Sequence, residues 1–321
     1  MKLIIQIPCF NEEETLPETL KFLPKQIDGI DEIETMVIDD GSSDRTADIA
    51  SWNGVNHIIK LNRHQGLAVA FKTGLNEAIK KGADIIVNTD ADNQYCADDI
   101  ELLVKPILEK SADIVIGARP INSINNFSPL KKLLQKLGST VIRIISKSDI
   151  QDAPSGFRAF SKDAASVINI FDKYTYTMET IIQANPKGLI IKSIPVRVNV
   201  TTRKSRLVKN IFDYVKNSMF TMLRIFIIYR PFRFFALIAS IILFLGFILG
   251  ARFLYFYLTG SGAGHIQSLI LTSILIMTGV QVGLIAVLAD LLAINRKLIE
   301  DVQLRVKKLE KWVYSIDLPI A

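Results

Sequence analysis

Short apolar runs, each ending in a polar loop, recur along the N-terminal part of the chain. Such runs predict strands, and apolar residues at helical spacing between them predict helices. The predicted strands cover residues 3–7, 34–38, 57–60, 85–88 and 114–116, and the predicted helices cover residues 13–23, 44–50, 66–80 and 97–110. Strand and helix therefore alternate, which predicts an α/β fold with a mostly parallel sheet.

Two much longer apolar stretches, residues 234–258 and 266–294, follow in the C-terminal part. A helix needs about 20 apolar residues to cross the hydrocarbon core of a bilayer, so each stretch is long enough to span a membrane. The short, glycine-containing connector between them predicts a two-span helical hairpin whose outer ends lie on the same side of the membrane.

The flanking segments complete the predicted domain organisation. Residues 205–233 carry apolar positions at roughly helical spacing, and they are interpreted as amphipathic helices on the membrane surface or packed against the N-terminal domain. A charged helix within residues 295–321 is expected in the cytosol or along the interface. The predicted domains are therefore residues 1–204, 205–233, 234–294 and 295–321.

The net charge of +6 is concentrated beside the two apolar stretches. Basic residues crowd ahead of the first stretch, and Arg296 and Lys297 directly follow the second. This distribution is typical of a cytoplasmic membrane surface, so a protein of the cell membrane with its N-terminal domain and C-terminus in the cytoplasm is expected. The charge does not indicate a nucleic-acid partner. Cys9 and Cys96 show neither metal-ligand nor disulfide spacing, which fits a reducing compartment.

Polar clusters rich in Asp and Asn follow three of the predicted strands. In the segment NTDADNQ, Asp90 and Asp92 are carboxylates at a strand end, and hard oxygen ligands of this kind suit Mg²⁺ or Mn²⁺ bridging a diphosphate. The segments PCFNEEETL and VIDDGSSDRT each follow a strand and open a helix, where carboxylates could bind a ribose hydroxyl or a base N–H. Each cluster alone could be a helix cap. Together, at the carboxyl ends of strands, they favour a ligand site.

These motifs, in this order, make the chain resemble the family 2 glycosyltransferases with the GT-A fold, a Rossmann-like fold, and within them the polyprenyl- and dolichyl-phosphate hexose synthases. The resemblance covers about residues 1–206 and includes the segments NRHQGLAVAFKTG, GAR, DAPSGFRAF and RKSRL. It implies a nucleotide-sugar pocket and a metal site. The pocket residues are Pro8, Asn11, Glu12, Asp39, Asp40 and Asp90, and the metal ligands are Asp90, Asp92 and Gln94. Cys96 is a departure, because relatives often carry proline there.

Basic residues are the candidates for binding an acceptor. A polyprenyl phosphate is already an anion at neutral pH, so it needs cationic positioning more than proton removal. The candidate phosphate-binding residues are Arg119, Lys131, Arg158, Arg203, Lys204 and Arg206. Any one of them could instead be a solvated surface charge, and residues 203–206 could serve only to attract anionic lipid. The resemblance favours a phosphate-binding Arg203.

Asp92, Asp152 and Arg119 are the expected catalytic residues. For Asp152, three roles stay open: a base, a group that orients the sugar or an arginine, and a loop-capping carboxylate ahead of Pro154. Glu179, in the segment YTMETII, is interpreted as a helix-surface residue.

The sequence therefore predicts an inverting, metal-dependent transfer of a hexose from a UDP- or GDP-sugar to a polyprenyl (undecaprenyl or dolichyl) phosphate on the cytosolic face. Membrane lipid and a separate flippase for the product are further expected partners. A second copy of the chain is another, because Gly279 and Gly283 offer a close helix-packing face.

Two other functions stay open. One is a family 2 enzyme acting on a glycan or another hydroxyl acceptor, which is disfavoured because the sequence lacks a Q-x-x-R-W motif and further spans. The other is a membrane-tethered protein that binds a nucleotide-sugar without catalysis. The intact set of Asp90, Asp92 and Gln94 argues against that function.

Arg203→Lys distinguishes a phosphate-binding arginine from a residue that only attracts lipid. Lipid attraction is diffuse, worth about 1 kcal/mol per basic residue, and depends on charge, so lysine would preserve it. A bidentate grip depends on guanidinium shape, so we expect Arg203→Lys to lower transfer at limiting acceptor while nucleotide affinity and membrane partitioning stay intact. Measuring these three quantities tests the assignment. Unchanged transfer would make Arg203 a solvated charge.

Overall fold

The computed structural model of the chain describes residues 1–120, 140, 143, 150–170, 176–199, 220, 223, 224, 227, 230–260 and 262–316. The chain divides into two compact units, Met1–Ser218 and Met219–Ala321.

A seven-stranded mixed sheet forms the centre of the first unit. Its strands are β1 (Lys2–Cys9), β2 (Glu32–Asp39), β3 (His57–Lys60), β4 (Ile85–Asn88), β5 (Ile114–Ala118), β6 (Arg158–Ser161) and β7 (Ile191–Pro195). The strand order is β3-β2-β1-β4-β6-β5-β7. Strand β6 runs antiparallel to both β4 and β5, whereas the other pairs are parallel. The predicted α/β fold with a mostly parallel sheet is confirmed, although β6 and β7 were not among the predicted strands.

The helices of this unit alternate with the strands as far as β5. They are α1 (Leu16–Phe22), α2 (Thr46–Trp52), α3 (Leu67–Lys80), α4 (Ile100–Leu108), α5 (Lys162–Val167) and α6 (Thr177–Ala184), with single 3₁₀ turns at Ala97–Asp99 and Asn185–Lys187. Helix α1 begins later than predicted, because the amides of Thr15 and Leu16 first close a turn onto the carbonyl of Glu12.

Helices cover both faces of the sheet. Alternate residues of a strand point to opposite faces. Leu3, Ile5 and Ile7 of β1 join the core cluster that contains the apolar side of α4. On the other face, α3 approaches so closely that a Cβ on Gly74 would lie 2.4 Å from Gln6 Oε1. Burial on both faces explains why β1 reads as a nearly continuous apolar run.

The strand order positions the site. Strand β1 lies between β2 and β4, and its register with them is Cys9 beside Asp39 and Gln6 beside Asn88. The loops after β1, β2 and β4 therefore leave the same edge of the sheet. That edge is where ligands bind in open α/β sheets.

The second unit contains two long helices, α7 (Pro231–Leu258) and α8 (Ile266–Ile316), joined by a 3₁₀ turn at Gly262–His265. Gly250 lies against Thr272 and Gly246 against Leu275, so the helices run antiparallel as a hairpin. Both are long and apolar enough to cross a membrane. The second helix continues without a break to Ile316, so the charged C-terminal segment extends α8. The predicted amphipathic helices lie mostly outside the described residues.

Candidate active site

The loops after β1 and β2 are joined by hydrogen bonds. The amide of Asn11 donates to Ser42 Oγ at 3.0 Å, and Asn11 Oδ1 accepts from the amide of Ser43 at 2.8 Å. The amide of Glu12 donates to Thr46 Oγ1 at 2.9 Å. Asn11 has a φ of 55°, a left-handed conformation that asparagine tolerates better than most residues. These contacts bring the two predicted nucleoside-binding segments together.

Asp39 and Asp40 are both buried, and each organises a turn. Asp39 Oδ1 accepts from the amide of Ser42 at 2.9 Å. The two carboxylate oxygens of Asp40 accept from the amides of Gln65 and Gly66, each at 2.8 Å. Pro8, a further predicted pocket residue, is buried at the end of β1.

A histidine and a phenylalanine stack beside this turn. His64 Nδ1 lies 2.8 Å from Asp40 Oδ2, and the His64 ring stacks on Phe10 with centroids 3.9 Å apart. Both rings are exposed. The carboxylate of Asp40 therefore holds the loop after β3 against the loop after β2, and the stacked rings hold it against Phe10 after β1.

The segment after β4 forms a tight turn that presents Asp90, Asp92 and Gln94. Asn93 has a φ of 53°, and the amide of Gln94 donates to Asp92 Oδ1 at 3.1 Å. Asn199 Nδ2 holds this turn from the outside, because it donates to the carbonyl of Asn93 at 2.9 Å. On the inner side, Thr19 Oγ1 donates to the carbonyl of Ala91 at 2.9 Å, which ties the turn to α1.

Negative charge is crowded at this turn. Burial raises the pKa of Asp90 to about 7, the charges of Asp92 and Glu12 act in the same direction, and the positive charge of Arg119 opposes them. A divalent cation would relieve this repulsion. Among the described residues no cluster of three or more His, Cys, Asp or Glu side chains could hold a metal alone. A cation at Asp90 and Asp92 would therefore complete its shell with phosphate and water oxygens, as Mg²⁺ commonly does.

Arg119 and Asp152 form a buried bidentate pair. Arg119 Nε donates to Asp152 Oδ2 at 2.7 Å, and Arg119 Nη2 donates to Asp152 Oδ1 at 3.1 Å. Asp152 is fully buried, whereas 11% of the Arg119 side chain is exposed. Of the three roles open for Asp152, this geometry matches orientation of an arginine.

A buried polar network fixes the loop that follows Asp152. Asn88 Nδ2 donates to the carbonyl of Gly156 at 2.8 Å and lies 3.0 Å from the hydroxyl oxygen of Tyr176. Asn88 Oδ1 accepts from Gln6 Nε2 at 2.9 Å. A Cβ on Gly156 would lie 3.1 Å from Asp90 Oδ1 and 2.9 Å from Tyr176 Oη. The network therefore fixes the backbone at Gly156, which lies directly against the Asp90 carboxylate.

The members of this network were not among the predicted site residues. Two of them carry a local signal, because Gln6 is a polar residue within an apolar strand and Asn88 is the polar residue that ends another. Tyr176 and Gly156 carry none, since they reach the network only through the fold.

Arg158 differs from its predicted role. Its side chain is fully buried, and its guanidinium donates to the carbonyls of Ser155, Ala153 and Thr177, each at 2.7 Å, and to the hydroxyl of Thr180. Burial lowers the pKa of Arg158 to about 10, which leaves it charged at neutral pH. The Arg158 guanidinium, surrounded by these acceptors, holds β6 to α6 and does not face a phosphate.

Glu179 also differs from its interpretation, because it is buried in α6 and does not lie on a helix surface. The other predicted phosphate-binding residues, Lys131, Arg203, Lys204 and Arg206, lie outside the described residues.

A protein-family model matches the part of the chain that carries this site. The family model described as "Glycosyl transferase family 2" matches residues 4–168, just over half of the chain. The chain belongs to glycosyl transferase family 2. The matched range contains the three acidic turns, the Arg119–Asp152 pair and three members of the Asn88 network, Gln6, Asn88 and Gly156.

The chain aligns with most of the length of its curated relatives. A UDP-N-acetylglucosamine–dolichyl-phosphate N-acetylglucosaminyltransferase of Methanococcus voltae is 32% identical, with 61% of this chain and 84% of the relative aligned. An undecaprenyl-phosphate mannosyltransferase of Micrococcus luteus is 27% identical, with 66% of this chain and 82% of the relative aligned.

A solved structure shares the fold of this glycosyltransferase. It is glucosyl-3-phosphoglycerate synthase from Mycobacterium tuberculosis, in complex with Mn²⁺, UDP and glucosyl-3-phosphoglycerate. The TM-score is 0.56 and the identity is 17%, over 70% of this chain and 78% of the other. The predicted GT-A fold is confirmed by this likeness and by the family match.

Arg158→Lys tests the structural role of the buried guanidinium in this glycosyltransferase. Lysine cannot reach all of the acceptors around Arg158, and each buried acceptor left without a donor costs about 1–3 kcal/mol. We expect a loss of at least about 2 kcal/mol in the free energy of unfolding, with the KM for the acceptor unchanged in the folded fraction. Urea unfolding and acceptor titration measure the two quantities. A raised acceptor KM at full stability would assign Arg158 to phosphate binding instead.

Gly156→Ala tests the wall behind Asp90. The added methyl group would press on Asp90 Oδ1 and Tyr176 Oη, so we expect the Asp90 carboxylate to shift and metal affinity to fall by about 10-fold, the size typical for a group that orients a metal ligand. Titration of Mn²⁺ in the presence of nucleoside diphosphate measures the affinity, and thermal unfolding reports whether the variant is folded. A folded variant with native metal affinity would contradict this role.

Proposed function

We propose that this glycosyltransferase transfers a hexose from a UDP- or GDP-sugar to a polyprenyl phosphate, with inversion and with the help of Mg²⁺ or Mn²⁺, at the cytosolic face of a membrane. The observation that carries the proposal is the meeting of three acidic turns beside a buried Arg119–Asp152 pair, in a chain with two helices long enough to span a bilayer. The names of two relatives, which specify dolichyl phosphate and undecaprenyl phosphate, support this acceptor class.

In this proposal the donor nucleoside binds at the carboxyl ends of β1 and β2. Pro8, Asn11, Glu12 and Asp39 supply the walls, and Asp40 contributes by holding the loop of residues 64–66 in place. The hydrogen bonds between the two turns support this role, because a prearranged pocket loses less conformational entropy when it binds a ligand.

The diphosphate of the donor lies at the turn after β4. Asp90, Asp92 and Gln94 would hold the divalent cation, which supplies charge neutralisation for the departing diphosphate. The crowding of negative charge around Asp90 supports this assignment, since a diphosphate could not approach these carboxylates without a cation. The fold neighbour from Mycobacterium tuberculosis was crystallised with both Mn²⁺ and UDP.

Arg119 faces the acceptor phosphate in this reaction. Its charge acts on Asp90, and Asp152 fixes its guanidinium in one orientation. The acceptor oxygen then attacks the anomeric carbon from the face opposite the leaving diphosphate. Because a phosphate oxygen is already anionic, no base has to remove a proton, and Asp152 acts by positioning Arg119.

The other basic residues predicted to bind the acceptor phosphate belong to this proposal as well. They are Lys131, Arg203, Lys204 and Arg206. Asn199 is hydrogen-bonded to the metal-site turn, and Arg203 follows only four residues later in the sequence, which supports a place for Arg203 near the acceptor.

Asp92→Ala tests the metal site and the acceptor class together. Membranes containing the enzyme are incubated with labelled UDP- and GDP-sugars and polyprenyl phosphate, and lipid is extracted into organic solvent. We expect label in the organic phase with one donor, and loss of at least about 100-fold with Asp92→Ala, the scale of removing one electrostatic group from a transition state. Asp98→Ala is the matched control, because Asp98 is an exposed carboxylate six positions further along.

The outcomes separate the alternatives. A folded Asp92→Ala enzyme with native transfer would remove Asp92 from the metal site. Label in water-soluble polymer would indicate a glycan acceptor, and nucleotide binding without transfer to any acceptor would indicate a binding protein.

A further inference from the structure

Helix α8 is longer than a membrane span requires. It covers 51 residues from Ile266 to Ile316, while its candidate span ends at Arg296. The remaining residues, 297–316, extend the helix by about 30 Å at 1.5 Å per residue. The sequence from residue 284 to 316 contains neither glycine nor proline, so nothing in it predicts a kink. If Ile266–Arg296 spans a bilayer, the unbroken helix carries residues 297–316 out of it along the axis of the span.

The extension carries apolar residues at alternating spacings of three and four. They occupy the a and d positions of a heptad repeat and are here called the heptad stripe: Ile299, Val302, Val306, Leu309, Val313 and Ile316. The first three are exposed in the single chain, by 59%, 58% and 46%. Apolar side chains that recur every 3.5 residues on average form the seam of a coiled coil.

Helix α7 packs on a different face of α8. The residues of α8 buried by the hairpin are Thr272, Gly279 and Ala286, which are seven apart. They fall at the b position of the same heptad register. At the a and d positions of the span itself, Ile285, Leu288 and Leu292 are exposed. The hairpin therefore leaves the heptad face open from Ile285 to Val306, the last residue of this face whose side chain the structure describes.

The residues at and beside the heptad stripe fit a second copy of the same helix. The a positions are all β-branched, Ile299, Val306 and Val313, and with Leu309 at the central d position they favour two strands, whereas the β-branched Val302 and Ile316 at the outer d positions favour more strands. Arg305 at g, which also pairs with Asp301 one turn earlier in the same helix, and Glu310 at the following e position carry opposite charges. Such g–e′ pairs meet between parallel strands, whereas antiparallel strands would place like charges together. Copies anchored in one membrane with the same orientation are necessarily parallel.

We propose that residues 297–316 of two copies of this protein form a parallel, two-stranded coiled coil through the heptad stripe. Fewer than three heptads make a marginal coiled coil in free solution. Anchoring of both copies in one bilayer raises their effective concentration and offsets this shortness. The coiled coil places two catalytic domains on the same membrane face.

Cysteine cross-linking of the full-length protein tests the proposal. Val302→Cys places a thiol at a d position in the seam, and Leu304→Cys is the matched control, because it puts a thiol on an equally apolar f position of the same helical turn. Both are made with Cys96→Ser, because Cys96 is partly exposed, while Cys9 is buried. Under mild oxidation in membranes we expect Val302→Cys to give a product of twice the 35.9 kDa chain mass at least about tenfold faster than Leu304→Cys.

A second measurement does not depend on disulfide formation. The mass of the detergent-solubilised protein is measured by light scattering for the unsubstituted chain, for Val306→Asp and for Leu304→Asp. We expect a dimer that Val306→Asp converts to a monomer and Leu304→Asp leaves intact.

Equal cross-linking at positions 302 and 304 would overturn the proposal, because it indicates random collision. A monomeric unsubstituted chain would also overturn it, since lipid or another part of the same chain would then cover the heptad stripe. A trimer or tetramer would overturn the two-stranded arrangement.

Discussion

Repulsion among carboxylates at one edge of the sheet is the constraint around which the site is built. Burial, together with the nearby charges of Asp92 and Glu12, raises the pKa of Asp90 to about 7. The other acidic groups at this edge have been satisfied locally. Asp39 and Asp40 accept backbone amides, and Asp152 is paired with Arg119. Negative charge is thus crowded at the turn after β4, where a cation and a diphosphate would together restore balance.

The turns that carry this charge are held by groups from outside their own strands. Thr19 on α1 and Asn199 beyond β7 both donate to backbone oxygens of the turn after β4. Gly156, on the loop before β6, leaves room for the Asp90 carboxylate only because it has no Cβ. The position of one carboxylate therefore depends on segments that are far apart in sequence. A change in any of them would alter the site without touching a ligand.

This dependence explains which features were predictable from sequence. Strands β3 and β4 were predicted with their observed bounds, because a short apolar run that ends at a polar residue is a local signal. Strand β6 escaped prediction because its place between β4 and β5 is set by tertiary pairing. The same limit applies to Arg158, whose sequence context suggests a phosphate ligand. Its burial becomes apparent only when the carbonyls of Ala153, Ser155 and Thr177 converge on it.

In the second unit, a helix position can be apolar for two different reasons. Small residues such as Gly279 allow the two spans to approach closely, since a Cβ there would lie 2.7 Å from a side-chain atom of Leu243. Large residues on the other faces of the spans face lipid, so their exposure needs no protein partner within the bilayer. In the proposed membrane arrangement, the same exposure at Val302 and Val306 has a different meaning, because they lie beyond the span, where water replaces lipid. Hydrophobicity that costs nothing inside the membrane becomes a driving force for association outside it.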